Sequence, residues 1–225
     1  LADPDAVAVD RLGQIGPVDA VYVSGVYSGR DGHVTRIHAG VTTDYAQNQP
    51  IGNTSDLVIT PTGDLLAIDG RSLETGVPSS RLSRIFPGSS EELIVYPGNT
   101  WTSSLARDDA GFLYSSVRRE RAIRRHAADG TIVDPAFHTG LLTPGQIIWV
   151  NALPGYGDGL LIAESGTGRI VHVDDEGIES TFASGFGFPN GIHVDDAHTV
   201  YVTDTRPCDG GRALADDADL LYHDA

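Results

Sequence analysis

One pattern of short strands and turns recurs along the chain at intervals of 39 to 50 residues. Each copy has an alternating apolar strand, an acidic or glycine-containing turn, a β-branched second strand, and a third and weaker fourth strand. Repeats of about 40–50 residues with four strands each are typical of β-propellers, in which each repeat is one blade. The repeat therefore predicts an all-β fold, a β-propeller. Its copies open at PDAVAVD, TSDLVIT, TSSLARD, VNALPGY and PNGIHVD.

The chain is expected to form one propeller domain, because no linker or low-complexity segment divides its 225 residues. Its fifth unit ends after a third strand, LLYHDA, which would leave an open ring with an unpaired sheet edge. We therefore predict six blades, with the last blade absent from this chain because it is truncated, disordered or on another chain; a five-bladed ring is the alternative. The predicted units lie near residues 1–50, 51–98, 99–146, 147–186 and 187–225.

Composition narrows the classes of partner. The net charge is −16, with 15 arginines and no lysine, and such a field repels nucleic acid and anionic membranes. No run approaches the roughly 18 apolar residues of a membrane span, and a single cysteine, Cys208, excludes a disulfide within the chain. The chain starts at Leu1 without an initiating methionine or an apolar leader, so we expect a processed or incomplete start. We therefore expect no nucleic-acid or membrane partner; the partner expected from the motifs below is a small-molecule substrate.

The residues that open the first strands are the candidates for a metal site. In a propeller the first strand of each blade lines the central channel, so its opening residue lies at one mouth of that channel. Every residue in this set carries a side-chain oxygen, and oxygen ligands suit Ca²⁺. The alternative is that these are ordinary turn residues before strands. The set is Asp5, Ser55, Ser103, Asn151 and Asn190.

Acidic residues end the second strands of three units. Asp69 follows Ser55 by 14 residues, and Asp204 follows Asn190 by the same interval. In the fourth unit Glu164 lies one residue before the matching position. A carboxylate beside a bound cation can act as a general base, so these three residues are the catalytic candidates. The alternative is a solvated loop acid or a partner for a nearby arginine.

Four further residues are candidates for substrate binding. Trp101 and Trp149 each precede an opening residue by two positions and would rim the mouth with apolar surface. Ser103 is one of the opening residues, and Arg118 follows a second strand, where it could bind a carboxylate or phosphate. Buried tryptophans and salt-bridged surface arginines are the alternatives. The eight histidines show no tight metal-binding spacing.

The stretch FPNGIHVDDAHTVYVTDT, residues 188–205, resembles the signature of the SMP-30/gluconolactonase/luciferin-regenerating family of six-bladed propellers. The shared features are Asn-Gly, an apolar strand, an acidic turn, and Tyr-Val-x-Asp-Thr. The resemblance implies a divalent cation in the channel, usually Ca²⁺, and hydrolysis of lactones or related esters. It implies Asn190 as a ligand, with Asn151 one unit earlier and Asp5 in place of the first-blade acid. Asp204 matches the second-strand Asp of the signature, and the family's late-blade Asp has no counterpart in this chain.

Three functions are therefore open. The first is a Ca²⁺-dependent lactone or ester hydrolase. The second is a metal-free binding propeller of the NHL type, whose strands have a similar pattern. The third is a metal-free enzyme of the strictosidine-synthase type that uses one buried glutamate, for which Glu164 is the candidate.

Overall fold

The computed structural model describes residues 4–26, 32–49, 51, 54–60, 62–72, 79–96, 101–195, 197–204 and 220–224. Every regular element in these ranges is a β-strand, which confirms the prediction of an all-β fold. In this part of the chain, no helix is long and apolar enough to cross a membrane.

The strands form five successive sheets, and within each sheet the strands are hydrogen-bonded in chain order. The first sheet contains β1 (Pro4–Asp10), β2 (Ala20–Val26), β3 (Gly32–His38) and β4 (Val41–Gln49). The second contains β5 (Thr54–Ile59), β6 (Leu65–Ser72), β7 (Ser79–Phe86) and β8 (Ser89–Tyr96). The third contains β9 (Thr102–Arg107), β10 (Leu113–Val117), β11 (Ala122–His126) and β12 (Ile132–Thr139). The fourth contains β13 (Pro144–Leu153), β14 (Gly157–Glu164), β15 (Arg169–Asp174) and β16 (Glu179–Ser184).

The fifth sheet departs from this pattern. It contains β17 (Pro189–Val194), β18 (Val200–Asp204) and β19 (Leu220–Asp224). β17 and β18 are antiparallel, but β19 lies parallel to β18. The residues between β18 and β19 lie outside the described part of the structure. The third strand predicted from LLYHDA therefore forms, although not as the next turn of an antiparallel meander.

Two compact units divide the chain, and each has its own core. The first unit contains Leu1–Leu105 with His126–Thr131, and the second contains Ala106–Arg125 with Ile132–Ala225. In the first unit the apolar cluster joins side chains of the first and second sheets, including Tyr22, Leu65 and Ile85. The two units are similar in size, and the assignment of residues 1–225 to a single propeller domain stays a prediction.

In the second unit, the second strand β14 contains a continuous apolar run because both of its faces are buried. Along β14, Leu160 and Ile162 join a cluster with the third sheet, while Leu161 and Ala163 join a cluster with the fifth. Successive side chains of a strand point to opposite faces, so a strand buried on both faces needs an apolar residue at every position. Most of the outer strand β16 is exposed or half-buried, because it lies at the sheet edge.

An acidic turn between first and second strands recurs as RDDAGFLY and VDDAHTVY. In each copy the first Asp accepts a backbone hydrogen bond from the residue four positions later and another from the Tyr hydroxyl six positions later. The hydroxyl distances are 3.0 Å for Tyr114 to Asp108 and 3.0 Å for Tyr201 to Asp195. The backbone N–H distances are 2.8 Å in both turns. These acids therefore hold the hairpins.

Replacing Tyr114 by Phe tests this role. The Tyr114 hydroxyl is buried and donates to a carboxylate, a hydrogen bond worth roughly 1.5–3 kcal/mol. We expect Tyr114→Phe to lower the free energy of unfolding by about 2 kcal/mol in urea denaturation. Tyr156→Phe is the control, because its exposed hydroxyl donates to Thr181 O at 3.4 Å, and it should change stability by less than about 0.5 kcal/mol. Equal effects of the two substitutions would contradict the assignment.

Candidate functional site

The first strands of four sheets begin with a shift in register against their second strands. The paired positions skip from Pro4 to Ala6, from Thr54 to Asp56, from Pro144 to Ile147 and from Pro189 to Gly191. Each shift leaves one residue more on the first strand than on the second, as in a β-bulge. Three of the predicted opening residues therefore hold equivalent places. The first-strand residues at these shifts are Asp5, Ser55, Gly145 with Gln146 (the two opposite Ala163), and Asn190.

The three candidate acids also hold one equivalent place. Asp69, Glu164 and Asp204 are each paired, across the sheet, with the residue that opens the first strand. Asp69 and Glu164 are buried, with 3% and 1% of their surface exposed. The backbone of Asp204 is described, and its side chain lies outside the described part of the structure. The ends of the second strands thus meet the bulged openings, as their spacing in the sequence predicted.

The placement of Asn151 at the opening of the fourth unit is wrong. The first strand of this sheet starts at Pro144, which pairs with Glu164, and its other end pairs Leu153 with Gly157. Asn151 lies near that other end, at the hairpin between β13 and β14. The fourth sheet begins three residues before the predicted boundary at residue 147, and Gly145 holds the place equivalent to Asn190.

Asn151 instead connects hairpin residues of three sheets within the second unit. Its Oδ1 accepts from Trp149 Nε1 at 2.8 Å, and its Nδ2 donates to Asp109 Oδ2 at 3.1 Å. Its backbone oxygen accepts from His198 Nε2 at 3.1 Å. These contacts give Asn151 a structural role at the end of the strand opposite the openings.

Trp149 accompanies Asn151 at that end and does not rim the predicted mouth. Its ring stacks on Tyr114 with centroids 5.3 Å apart and planes 15° apart. It packs against the core cluster of the third and fourth sheets. The buried-tryptophan alternative fits Trp149 better than substrate binding does.

Asn190 and Gly145 bring two openings close together in the second unit. A β-carbon at position 145 would lie 3.3 Å from the backbone oxygen of Asn190, 3.4 Å from that of Ala163, and 3.5 Å from Asn190 Oδ1. Glycine at this position therefore lets the backbone pass close to three oxygens that are neighbours of one another. Asn190 is exposed, so its side-chain amide is accessible to a ligand.

In each unit, a side-chain oxygen on one first strand accepts a hydrogen bond from a backbone N–H on the first strand of the next sheet. In the second unit Gln146 Oε1 accepts from the Ile192 N–H at 2.7 Å. In the first unit Asp56 Oδ2 accepts from the Leu105 N–H at 2.9 Å and from Ser104 Oγ at 2.5 Å. Asp56 and Gln146 each lie two residues after the start of their strand. A polar residue at that position therefore supports the next opening.

The sequence analysis did not select Asp56, although its carboxyl group has unusual electrostatics. Burial raises the pKa of Asp56 to about 6, and hydrogen bonds from Ser104, Leu105 and Leu57 limit the rise. The sequence signal that could have indicated Asp56 is its position, as an acidic residue directly after Ser55 in TSDLVIT. A carboxyl group that titrates near neutral pH is able to exchange protons under physiological conditions.

Asp56 predicts a specific pH dependence of stability. Because its pKa is higher in the folded than in the unfolded chain, its contribution is full below about pH 4 and is lost as pH rises through about 6. Asp56→Asn removes this titration but keeps an oxygen acceptor, as in Gln146. The difference in free energy of unfolding between wild type and variant should fall by about 2–3 kcal/mol from pH 4 to pH 7 in urea denaturation. A difference that does not change with pH would contradict the assignment.

Glu164 is held by four hydrogen bonds. It accepts from the Leu142 N–H at 2.6 Å, from Arg169 Nε at 2.9 Å and Nη2 at 2.6 Å, and from Thr167 Oγ1. Burial on its own would raise the pKa of Glu164, but the hydrogen bonds from Thr167, Leu142 and Arg169 outweigh it and hold the pKa below its ordinary value. These contacts favour a structural carboxylate over a general base.

Glu164→Gln should therefore destabilise the fold, since it leaves Arg169 beside a neutral, buried amide. We expect a loss of roughly 2–4 kcal/mol at pH 7. The lowered pKa means that the ionised Glu164 contributes fully above its unfolded value, near pH 4.5, and loses that contribution as pH falls below it. Urea denaturation at pH 7 and pH 3.5 should show the effect of the substitution shrinking at the lower pH.

Glu179→Gln is the matched control for this prediction. Glu179 contacts the same arginine, with Oε1 3.2 Å from Arg169 Nη1, but lies on the exposed strand β16. Exposed ion pairs contribute less than about 1 kcal/mol. A larger loss in Glu179→Gln than in Glu164→Gln would contradict the structural assignment of Glu164.

Arg118 directly follows β10, at the same end of the sheet as the candidate acids. Its Nη2 donates to Ser165 Oγ at 3.4 Å, and Ser165 Oγ in turn donates to Thr143 O at 3.0 Å. Burial lowers the pKa of the Arg118 guanidinium. By contrast, Arg124 in the same run is buried and is paired with Glu120 at 2.5 Å.

In the first unit, Trp101 and Ser103 lie at the start of β9. Trp101 is 41% exposed and Ser103 is half-buried. Asp5, at the start of β1, is exposed.

Among the described residues, one group of acidic side chains has ligand atoms that converge within 4.8 Å. It consists of Asp174, Asp175 and Glu176, in the turn between β15 and β16. Asp174 Oδ1 already accepts from the backbone N–H of Ile178 at 2.7 Å. This group lies outside the bulged openings, where the donors are amide, hydroxyl and backbone oxygens together with single carboxylates.

Sequence comparison gives little information on family. No protein-family model matches the chain. A 26-residue segment is 88% identical to part of ribonuclease Z from Salinibacter ruber (strain DSM 13855 / M31), which covers 12% of this chain and 8% of that protein. So short a segment does not show membership of that family.

Solved structures define the fold. A virginiamycin B lyase from Staphylococcus aureus superposes with a TM-score of 0.65 at 16% identity, covering 89% of this chain and 63% of that chain. A proposed gluconolactonase has a TM-score of 0.64 at 17% identity, covering 92% and 74%. A chain of a nidogen/laminin complex has a TM-score of 0.67 at 17% identity, covering 89% and 72%. The chain thus spans less than two thirds of the lyase.

These likenesses and the successive four-stranded sheets identify the fold class: the protein is a β-propeller. At 16–17% identity the comparisons support the fold alone. The number of blades in the complete ring stays a prediction.

Proposed function

We propose that the protein is a Ca²⁺-dependent hydrolase of a lactone or a related ester. The observation that carries this proposal is the arrangement at the opening of β17, where exposed Asn190 lies beside Gly145 and next to Pro189, the register partner of Asp204. The likeness to a lyase and to a proposed gluconolactonase supports an enzyme built on this fold.

Three neighbouring oxygens in the second unit are of the kind that binds a hard cation. Asn190 Oδ1 and the backbone oxygens of Asn190 and Ala163 all lie within 3.5 Å of the position that a β-carbon at residue 145 would take, so the three are neighbours. Ca²⁺ is bound by oxygen ligands of mixed type, including amide and backbone oxygens. Asn190 and Ala163 would supply ligands here, and the Asp5 carboxylate holds the equivalent opening in the first unit. When bound, the ion would polarise the carbonyl group of the substrate.

The chain's own residues have separate tasks in this proposal. Asp204 ends β18 opposite the opening, where its carboxylate would accept a proton from the attacking water. The water oxygen then bonds to the carbonyl carbon, the ring C–O bond breaks, and the proton passes to the departing alkoxide. Arg118, half-buried near Ser165, would bind the carboxylate that forms. Glu164 is engaged by Arg169 and supports the opening of the fourth sheet.

Two asparagines provide a matched test. Asn190→Ala should reduce lactone hydrolysis by at least about 100-fold and remove the rise in melting temperature caused by Ca²⁺, because it deletes a ligand at the opening. Asn151→Ala should lower the melting temperature but retain the Ca²⁺ response and more than half of the activity, since Asn151 lies at the opposite end of its strand. A panel of γ- and δ-lactones, with and without a chelator, measures both effects.

Hydrolysis that is unaffected by the chelator and by Asn190→Ala would refute the proposal. So would a larger loss of activity in Asn151→Ala than in Asn190→Ala, with both variants folded by circular dichroism.

The likeness to a chain of a nidogen/laminin complex favours a binding propeller as the second candidate function. On this alternative the openings are structural, and Asn190→Ala changes neither stability nor any response to Ca²⁺. The same set of measurements therefore separates the two candidates.

A further inference from the structure

The fold requires a glycine directly after Asn190. A β-carbon at position 191 would lie 2.5 Å from Thr203 Oγ1 and 3.3 Å from Gln146 Oε1. Real β-carbons do not approach other atoms to 2.5 Å, so one of the groups would have to move. Packing among β13, β17 and β18 therefore selects the dipeptide Asn-Gly at the opening of β17.

The dipeptide Asn-Gly is chemically labile. The backbone nitrogen of the residue after an asparagine can attack the carbonyl carbon of the side-chain amide, and glycine has no β-carbon to hinder the attack. Asparagine is accordingly one of the thermolabile residues of proteins. Of the five asparagines in the sequence, Asn190 is the one followed by glycine. The residue that the packing selects thus makes Asn190 reactive.

The position of Asn190 in the sheet favours the same reaction. Pro189 pairs with Asp204 and Gly191 pairs with Thr203, so the register skips Asn190. Asn190 is exposed, so water and hydroxide can reach its amide. The end of a strand also opens at a lower cost in free energy than the middle of a sheet. The backbone rotation that the attack requires is therefore accessible in the folded protein.

Asn151 provides the contrast within the same unit. It is followed by Ala152, whose β-carbon hinders the backbone nitrogen. Its amide is engaged at both ends, since Oδ1 accepts from Trp149 and Nδ2 donates to Asp109. Asn151 should therefore be stable where Asn190 is not.

We propose that Asn190 is a site of spontaneous deamidation. The Gly191 nitrogen bonds to Asn190 Cγ, the Cγ–Nδ2 bond breaks, and ammonia leaves with the proton of the Gly191 N–H, which closes a succinimide. Water then adds to one of the two imide carbonyl groups, and the C–N bond at that carbon breaks to give aspartate or isoaspartate. A neutral amide at the opening of β17 is thereby replaced by a carboxylate.

The effect of this change on a bound cation rests on the proposed function. The aspartate product places a charged oxygen near the backbone oxygen of Ala163, and the affinity of a Ca²⁺ site depends on the number of charged ligands. The isoaspartate product adds a methylene group to the backbone just before Ile192, whose N–H donates to Gln146 Oε1 at 2.7 Å. The first product should strengthen the site, and the second should disrupt it.

Peptide mass spectrometry of the aged protein tests the proposal. At pH 8.5 and 37 °C the peptide containing Asn190 should gain about 1 Da. The half-time should lie within about tenfold of that of the same chain unfolded in guanidinium chloride, because a strand end opens readily. The peptide containing Asn151 should react roughly ten times more slowly than the Asn190 peptide, because Ala152 carries a β-carbon.

Two variants serve as controls. Asn190→Gln should abolish the gain in mass at this site, because its longer side chain would have to close a less favourable six-membered ring. Gly191→Ala combined with Thr203→Ala, which removes the hydroxyl that the new β-carbon would meet, should slow the reaction at least about tenfold. Reaction of native Asn190 more than about 100-fold slower than in the unfolded chain would overturn the proposal. Equal rates at Asn151 and Asn190 would also overturn it.

Asn190→Asp reproduces the aspartate product and separates this proposal from the proposed function. The variant should bind Ca²⁺ at least about tenfold more tightly than the wild type in calorimetric titration. Equal or absent Ca²⁺ binding in the two proteins would contradict the cation site and hence the proposed function. The gain in mass at residue 190 decides the modification itself.

Discussion

The register between the first and second strands of each sheet is the constraint on which the rest of the structure depends. It decides which end of a strand every polar side chain occupies. At one end the pairing shifts and leaves Asp5, Ser55, Gly145 and Asn190 at equivalent openings. At the other end Asp108 and Asp195 close hairpins. A shift of register by a few residues therefore exchanges a candidate ligand for a structural contact.

Similar polar residues act as candidate ligands at the openings and as structural contacts at the hairpins. Their hydrogen-bond partners distinguish the two roles. Asn151 bonds to a tryptophan, an aspartate and a histidine, and thereby connects three hairpins. Asn190 is exposed at an opening beside a glycine. Among the acids, Glu164 is satisfied by Arg169, Thr167 and a backbone N–H, whereas Asp56 has a pKa raised to about 6 by burial. The surroundings of each group decide its chemistry.

The fold could be predicted from the sequence because the pattern of short strands and turns recurs along the whole chain. The equivalent places of Asp69 and Asp204 followed from equal spacing within their hairpins. Asn151 could not be placed correctly, because β13 is ten residues long with one extra residue after Pro144, and no local signal marks its start apart from the Pro-Gly of TPGQIIWV. The role of Asp56 depends on the Leu105 N–H of the next sheet, 49 residues away, and single-strand patterns do not report such a contact.

The position of a bound ion tests the central claim most directly. Crystals grown with a lanthanide in place of Ca²⁺ would locate the ion by anomalous scattering. An ion beside Asn190 Oδ1 and the Ala163 backbone oxygen is the predicted result. An ion bound only in the acidic turn of Asp174, Asp175 and Glu176, or beside Asn151, would contradict the account.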